Sequence, residues 1–190
     1  MRSLDKRRTG RYFSLAIACL LMGGCGGMDT KKDPPVVASV DLTRYAGTWY
    51  EIARLPLWVQ RHCVDSKAIY TSRSDGTVGV HNECVTDDGG VAKAEGVATG
   101  VDKKTNARLT VVFDNWFARL FGSSREGNYW ILDLDADYRT ALVGTPDRRY
   151  LWILARSPQL DSATFQRLVQ KSRDLGYPMD KLIRNQRPSS

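Results

Sequence analysis

Between residues 47 and 156 the chain is a succession of short β-rich runs, broken by turn-forming clusters about every ten residues. The runs are Trp49–Leu55, Lys67–Arg73, Val78–Val85, Ala92–Val101, Arg108–Phe113, Tyr129–Asp133, Thr140–Gly144 and Tyr150–Arg156. Between them stand Ser74-Asp75-Gly76, Asp87-Asp88-Gly89-Gly90, the stretch Asp102 to Asn106, Asp135-Ala136-Asp137 and Thr145-Pro146-Asp147, all built from residues that favour tight turns. Eight strands with no helical crossover predict an antiparallel meander. Closing the meander on itself removes its exposed edges, so the predicted fold is all-β, an eight-stranded antiparallel up-and-down β-barrel. One helix follows, capped by Asp161, striped by Phe165, Leu168, Val169 and Leu175, and ended by Gly176. Its apolar stripe has only the outside of the barrel to pack on.

The N-terminus obeys different rules. Of the seven excess positive charges in the 190 residues, four sit in residues 1–24, where Arg2, Lys6, Arg7, Arg8 and Arg11 face Asp5 alone. The rest of the chain is only mildly basic, which removes the main support for a nucleic-acid partner. The apolar run from Tyr12 to Met22 is about half the ~20 residues needed to span a bilayer. A basic cluster, a short apolar run and small residues, in that order, make an export signal. Leu21-Met22-Gly23-Gly24-Cys25 resembles a bacterial lipoprotein box, which implies acylation of Cys25; Cys19 after Ala18 competes, but cleavage there halves the apolar run. With Cys19 removed and Cys25 acylated, Cys63 and Cys84 remain, and an oxidising compartment favours their disulfide. Residues 25–40, with Gly26-Gly27, Lys31-Lys32 and Pro34-Pro35, read as a lipidated tether, leaving 41–190 as the barrel domain with its helix.

Asp41 to Arg54, with its core Gly47-Thr48-Trp49-Tyr50, resembles the first motif of the lipocalin family. Leu134 to Val143 is similar to the second motif, and Tyr150 to Arg156, a strand closed by arginine, to the third. With a lipoprotein box ahead of them, these motifs resemble those of the bacterial outer-membrane lipocalins. That resemblance implies a fatty acid or lysophospholipid ligand, lipid storage or transport in envelope maintenance, and anchoring of the barrel in the outer membrane, facing the periplasm.

Strand counting places the pieces. Odd strands run one way and even strands return, so Gly47, Trp49 and Arg156 meet at one closed end, where a guanidinium can cover an indole. Alternation along each strand assigns Ala53 and Leu55, and Tyr150, Trp152 and Leu154, to the interior as ligand-pocket candidates. Cys63 and Cys84 fall together at the opposite, open rim. Two apolar segments also fall there: Leu55 to Val59, containing Trp58, and Asn115 to Phe121, containing Trp116, Phe117 and Phe121. They suit an inward-folded lid, a homodimer contact or a lipid-contacting lip. Arg54, Arg61, Arg119 and Arg125 lie near the same rim, as possible partners of a lipid headgroup.

No enzyme is expected. His62 with Asp65 is the nearest approach to a base, no Gly-x-Ser-x-Gly elbow occurs, and no spare thiol remains. Two histidines without metal-ligand spacing give no metal site, and no cofactor is implied. The competing reading is a structural or inhibitory envelope lipoprotein with a filled barrel.

Overall fold

The computed structural model describes residues 32–114 and 126–185. The first element is a single helical turn, α1 (Leu42–Tyr45), nucleated by the Asp41 carboxylate, which accepts from the N–H groups of Thr43 and Arg44. The strands follow as β1 (Gly47–Arg54), β2 (Cys63–Ser72), β3 (Val78–Thr86), β4 (Val91–Gly100), β5 (Arg108–Phe113), β6 (Tyr129–Leu134), β7 (Thr140–Gly144) and β8 (Leu151–Ala155). Helix α2 (Ser162–Asp174) and a two-residue strand β9 (Ile183–Arg184) complete the chain. All pairings are antiparallel between consecutive strands, and β1 pairs with both β8 and β2, so the barrel closes. Short β9 lies against the end of β1 at Ala53 and Arg54.

The eight expected strands are the eight observed, with shifted ends. β2 starts four residues earlier, at Cys63, through an irregularity between Cys63 and Asp65. Residues 32–40 differ from the expected tether. Val37 N–H donates to Ile131 O at 3.0 Å, Val40 N–H donates to Thr105 O at 2.7 Å, and Val40 is buried in the interior cluster. Their backbone groups find partners on the barrel, so this stretch is part of the domain; residues 25–31 lie outside the described residues.

Two apolar clusters divide the molecule. The interior one contains Trp49, Tyr70, Val80, Leu109, Val111, Phe113, Ile131, Val143 and Leu154. The other lies outside the barrel wall, where Leu142, Leu151, Ile153 and Ala155 meet Phe165, Leu168 and Val169 of α2. Asp161 caps α2 through Thr164 N–H at 2.8 Å, and Arg167 and Lys171 both pair with Asp133 on β6. Beyond α2, Tyr177 donates its hydroxyl to Thr145 O at 2.9 Å. Gly144 is required there, because a Cβ would stand 2.4 Å from that hydroxyl oxygen.

At the closed end the Arg156 guanidinium lies 4.0 Å from the centroid of the Trp49 ring. It donates to the carbonyls of Arg44, Tyr45, Ala46, Thr48 and Tyr138 at 2.8–3.2 Å, while Trp49 Nε1 donates to Tyr45 O at 2.7 Å. One cation therefore serves the C-terminal carbonyls of α1 and covers the indole face. Gly47 allows this approach: its φ is +99°, and a Cβ there would stand 3.1 Å from an Arg156 nitrogen. Trp49→Ala is expected to cost about 3–5 kcal/mol in urea unfolding, since the ring is fully buried. Arg156→Ala is expected to cost less, with a coupling of roughly 1 kcal/mol in the double-mutant cycle; strictly additive losses contradict the stacking.

Candidate functional site

Above this plug the barrel encloses a cavity of about 130 Å³. Its position follows from side-chain size. The inward residues of β2, β3 and β4 near the mouth are Ser66, Ala68, Asn82, Cys84, Ala92 and Ala94, all short, and they recede from the centre. Val111, Phe113, Trp152 and Leu154 line it from β5 and β8. The cavity is thus an apolar trough against the thin wall of the barrel, suited to a hydrocarbon chain.

The roof is the loop from β1 to β2, which contains a 3-10 turn at Trp58–Gln60. Leu57, Val59 and Gln60 line the cavity, whereas Trp58 points out, 59% exposed, with the Arg61 guanidinium 4.2 Å from its ring centroid. The apolar segment Leu55 to Val59 is therefore mostly a lid. Two devices hold it. The Cys63–Cys84 disulfide ties its end to β3, with Cα atoms 5.5 Å apart; closing a loop of that length is worth about 3 kcal/mol in the chain-entropy model. Buried Arg54 donates to Gln60 O at 2.6 Å and Cys63 O at 3.2 Å and pairs with buried Glu51 at 3.5 Å. Gln60 closes the network, its amide donating to Glu51 at 3.1 Å and its oxygen accepting from Trp152 Nε1 at 3.4 Å. Burial pushes the Glu51 carboxyl above its usual range, against the pull of Arg54 and the Gln60 hydrogen bond.

At the floor three buried tyrosines meet. The Tyr129 hydroxyl lies 2.8 Å from that of Tyr45 and 3.0 Å from that of Tyr70. Tyr45 also packs on Trp49, ring centroids 4.8 Å apart, so the cluster stands directly on the plug. Burial raises the Tyr70 hydroxyl to about 12 and the other two well above their ordinary value, which keeps all three as neutral O–H groups.

Of the expected pocket residues, Trp152 and Leu154 line the cavity. Tyr150 precedes β8, its ring 6.4 Å from that of Trp152, and does not line it. Ala53 and Leu55 do not line the cavity. The β1–β8 register slips between Glu51 and Ala53, so Glu51 opposes Leu154 but Ala53 opposes Ile153. One extra residue reverses every later side chain. Ala53 and Leu55 pass into the cluster under α2, and Arg54, expected at the exposed rim, turns inward. Arg61 stays exposed at the mouth. His62 makes an exposed pair with Asp87 at 3.1 Å. Cys25, Trp116, Phe117, Arg119, Phe121 and Arg125 lie outside the described residues. The tyrosine cluster and the Glu51–Arg54–Gln60 network had no counterpart in the sequence reading. Alternation put Tyr70 on the face of Ser66 and Ala68, which was the available signal; nothing local brings Tyr45 and Tyr129 to it. Among the described residues, no three His, Cys, Asp or Glu side chains converge as metal ligands.

A family profile described as a lipocalin-like domain matches residues 40–187. Temperature-induced lipocalin-1 of Arabidopsis thaliana is 40% identical over 158 residues, 82% of this chain and 83% of that protein. Outer membrane lipoprotein Blc of Escherichia coli (strain K12) is 35% identical over 176 residues, 92% of this chain and 95% of that one. Among solved structures, insecticyanin from the tobacco hornworm Manduca sexta has a TM-score of 0.60 at 21% identity, covering 83% of this chain and 86% of its own, a likeness of fold.

The buried pair beneath the lid generates a direct test. Arg54→Met leaves the Glu51 carboxylate buried without its counter-charge and releases two loop carbonyls, so a loss of about 3–5 kcal/mol is expected in chemical denaturation. A loss below ~1 kcal/mol contradicts the pairing.

Proposed function

The chain belongs to the lipocalin family, and from that premise we propose that it is a lipid-binding lipoprotein of a bacterial outer membrane. It is a binding protein and not an enzyme. Its ligand is a fatty acid or lysophospholipid, whose acyl chain lies in the trough between the small residues of β2–β4 and the side chains of Val111, Phe113, Trp152 and Leu154. The observation that carries this reading is the lidded apolar cavity itself. A barrel filled by its own side chains, as the structural-lipoprotein alternative requires, would replace Ala68, Asn82, Ala92 and Ala94 by large residues. The role is storage or transport of lipid in envelope maintenance.

The anchor is the lipid on Cys25, and the barrel faces the periplasm. Support comes from the order of basic, apolar and small residues before Cys25, and from relatives named outer membrane lipoprotein Blc at 33–35% identity. Two or more acyl chains hold a protein stably, where one is marginal. Arg61, exposed at the mouth beside Trp58, is the candidate partner for a phosphate or carboxylate headgroup.

Two measurements test these proposals. Trp152→Ala removes ring contacts with the chain, and a loss of roughly tenfold or more in affinity for a fluorescent fatty acid is expected; unchanged affinity in a folded variant refutes the cavity as the site. Cys25→Ser is expected to abolish incorporation of labelled palmitate, and label persisting in the variant refutes the anchor.

A further inference from the structure

The floor of the cavity holds more hydrogen-bond donors than acceptors can use. Tyr45, Tyr70 and Tyr129 contribute three O–H groups and share two hydrogen bonds, with Tyr129 in the middle. However the protons are arranged, one is left over. Left on Tyr45 it makes no further hydrogen bond, since that residue is buried against Trp49 and does not line the cavity. Relayed through Tyr129 it emerges on Tyr129 or Tyr70, both of which do line the cavity. One inward layer nearer the mouth, opposite Ala68 and Ala94, Asn82 Oδ1 is a buried acceptor without a hydrogen bond. A surplus donor therefore faces an apolar space, with an unused acceptor buried in the wall one layer above it. A purely hydrocarbon chain end satisfies neither.

We propose that the barrel floor is an oxygen-reading subsite: it selects an aliphatic ligand whose buried end carries a hydroxyl or carbonyl oxygen, which accepts the surplus proton of the Tyr45–Tyr129–Tyr70 cluster. This deepens the lipid-binding reading and rests on it. Because the three phenols stay neutral, the donor suits an uncharged oxygen. Tyr70 lies four residues below Ser66, roughly 13 Å along the strand, so the group being read is at the far end of the chain from the mouth. Water serves the donor before the ligand enters. A methyl end displaces that water and leaves the proton without an acceptor, whereas an oxygenated end replaces it.

Two sources supply such an oxygen: a chain hydroxylated at its far end, or a fatty acid that enters carboxyl first. The test is displacement of a fluorescent fatty acid from the full chain by palmitoyl lysophosphatidylcholine, by its ω-hydroxypalmitoyl counterpart and by palmitic acid. The headgroup keeps the two lysolipids in one orientation. The wild type is expected to bind the ω-hydroxylated lysolipid about 2- to 10-fold more tightly, the range of one neutral hydrogen bond. The Tyr45→Phe/Tyr70→Phe/Tyr129→Phe variant keeps every ring and leaves no hydroxyl behind. It is expected to bind both lysolipids alike; any single replacement still leaves a surplus proton at the cavity. Weaker binding of palmitic acid by that variant, with palmitoyl lysophosphatidylcholine unchanged, marks the carboxyl-first orientation.

Equal binding of the two lysolipids by the wild type, with palmitic acid indifferent to the triple replacement, overturns the subsite and leaves the lipid reading standing. A preference that survives the triple replacement and vanishes in Asn82→Leu also overturns it, in favour of Asn82 as the reader. Failure of every lipid to bind, the fluorescent fatty acid included, overturns the lipid reading and the subsite with it. Should the triple variant not fold, Tyr70→Phe/Tyr129→Phe, which removes both hydroxyls that line the cavity, is expected to lose the preference in its place, and a preference that survives it overturns the subsite.

Discussion

The whole architecture rests on how one end of the barrel is sealed. A closed meander leaves two open ends, and a hollow open at both would admit water along its full length. Here Trp49 is fully buried at one end, and Arg156 lies over it. The guanidinium suits this place because its face stacks while its edge donates to five carbonyls at once. Those carbonyls come from α1, from the start of β1 and from the β6–β7 turn, so the first and last strands and a remote turn are fastened by one residue. Gly47 is part of the same device, since it alone leaves the guanidinium room.

With the floor fixed, the remaining volume is set by side-chain size and by one irregularity. Small residues on β2–β4 push the cavity to one wall, and the rings of β5 and β8 line it from across the barrel. The bulge in β1 then does two things at once. It sends Ala53 and Leu55 outward to complete the surface that α2 covers, and it turns Arg54 inward to grip the loop that becomes the roof. A single inserted residue thus couples the packing of the helix outside to the position of the lid.

Much of this was written locally. Turn residues between alternating runs were enough to place eight strands, because side-chain alternation and turn chemistry act over a few residues. The terminal helix was equally legible, from Asp161 to Gly176, since its cap and its end are short-range signals. Motif spacing then brought Gly47, Trp49 and Arg156 to one end, and strand parity brought Cys63 near Cys84. Trp152 and Leu154 share the cavity side of β8 because that strand is regular and alternation holds along it.

Tertiary structure decided the rest. The slip in β1 has no signature in Glu51-Ile52-Ala53-Arg54, because whether an extra residue is accommodated depends on the partner strand and on what waits on either face. Residues 32–40 look like a linker by composition, yet they dock because barrel backbone groups accept them. The hydroxyl cluster joins residues 45, 70 and 129, which come from a helical turn and two strands that are not neighbours in the sheet. The sequence alone determined the strands, the turns and the sealed end, since those follow from short-range periodicity and spacing. Which polar atoms meet inside the barrel was settled only by closure, because only closure brings distant inward faces within hydrogen-bonding distance.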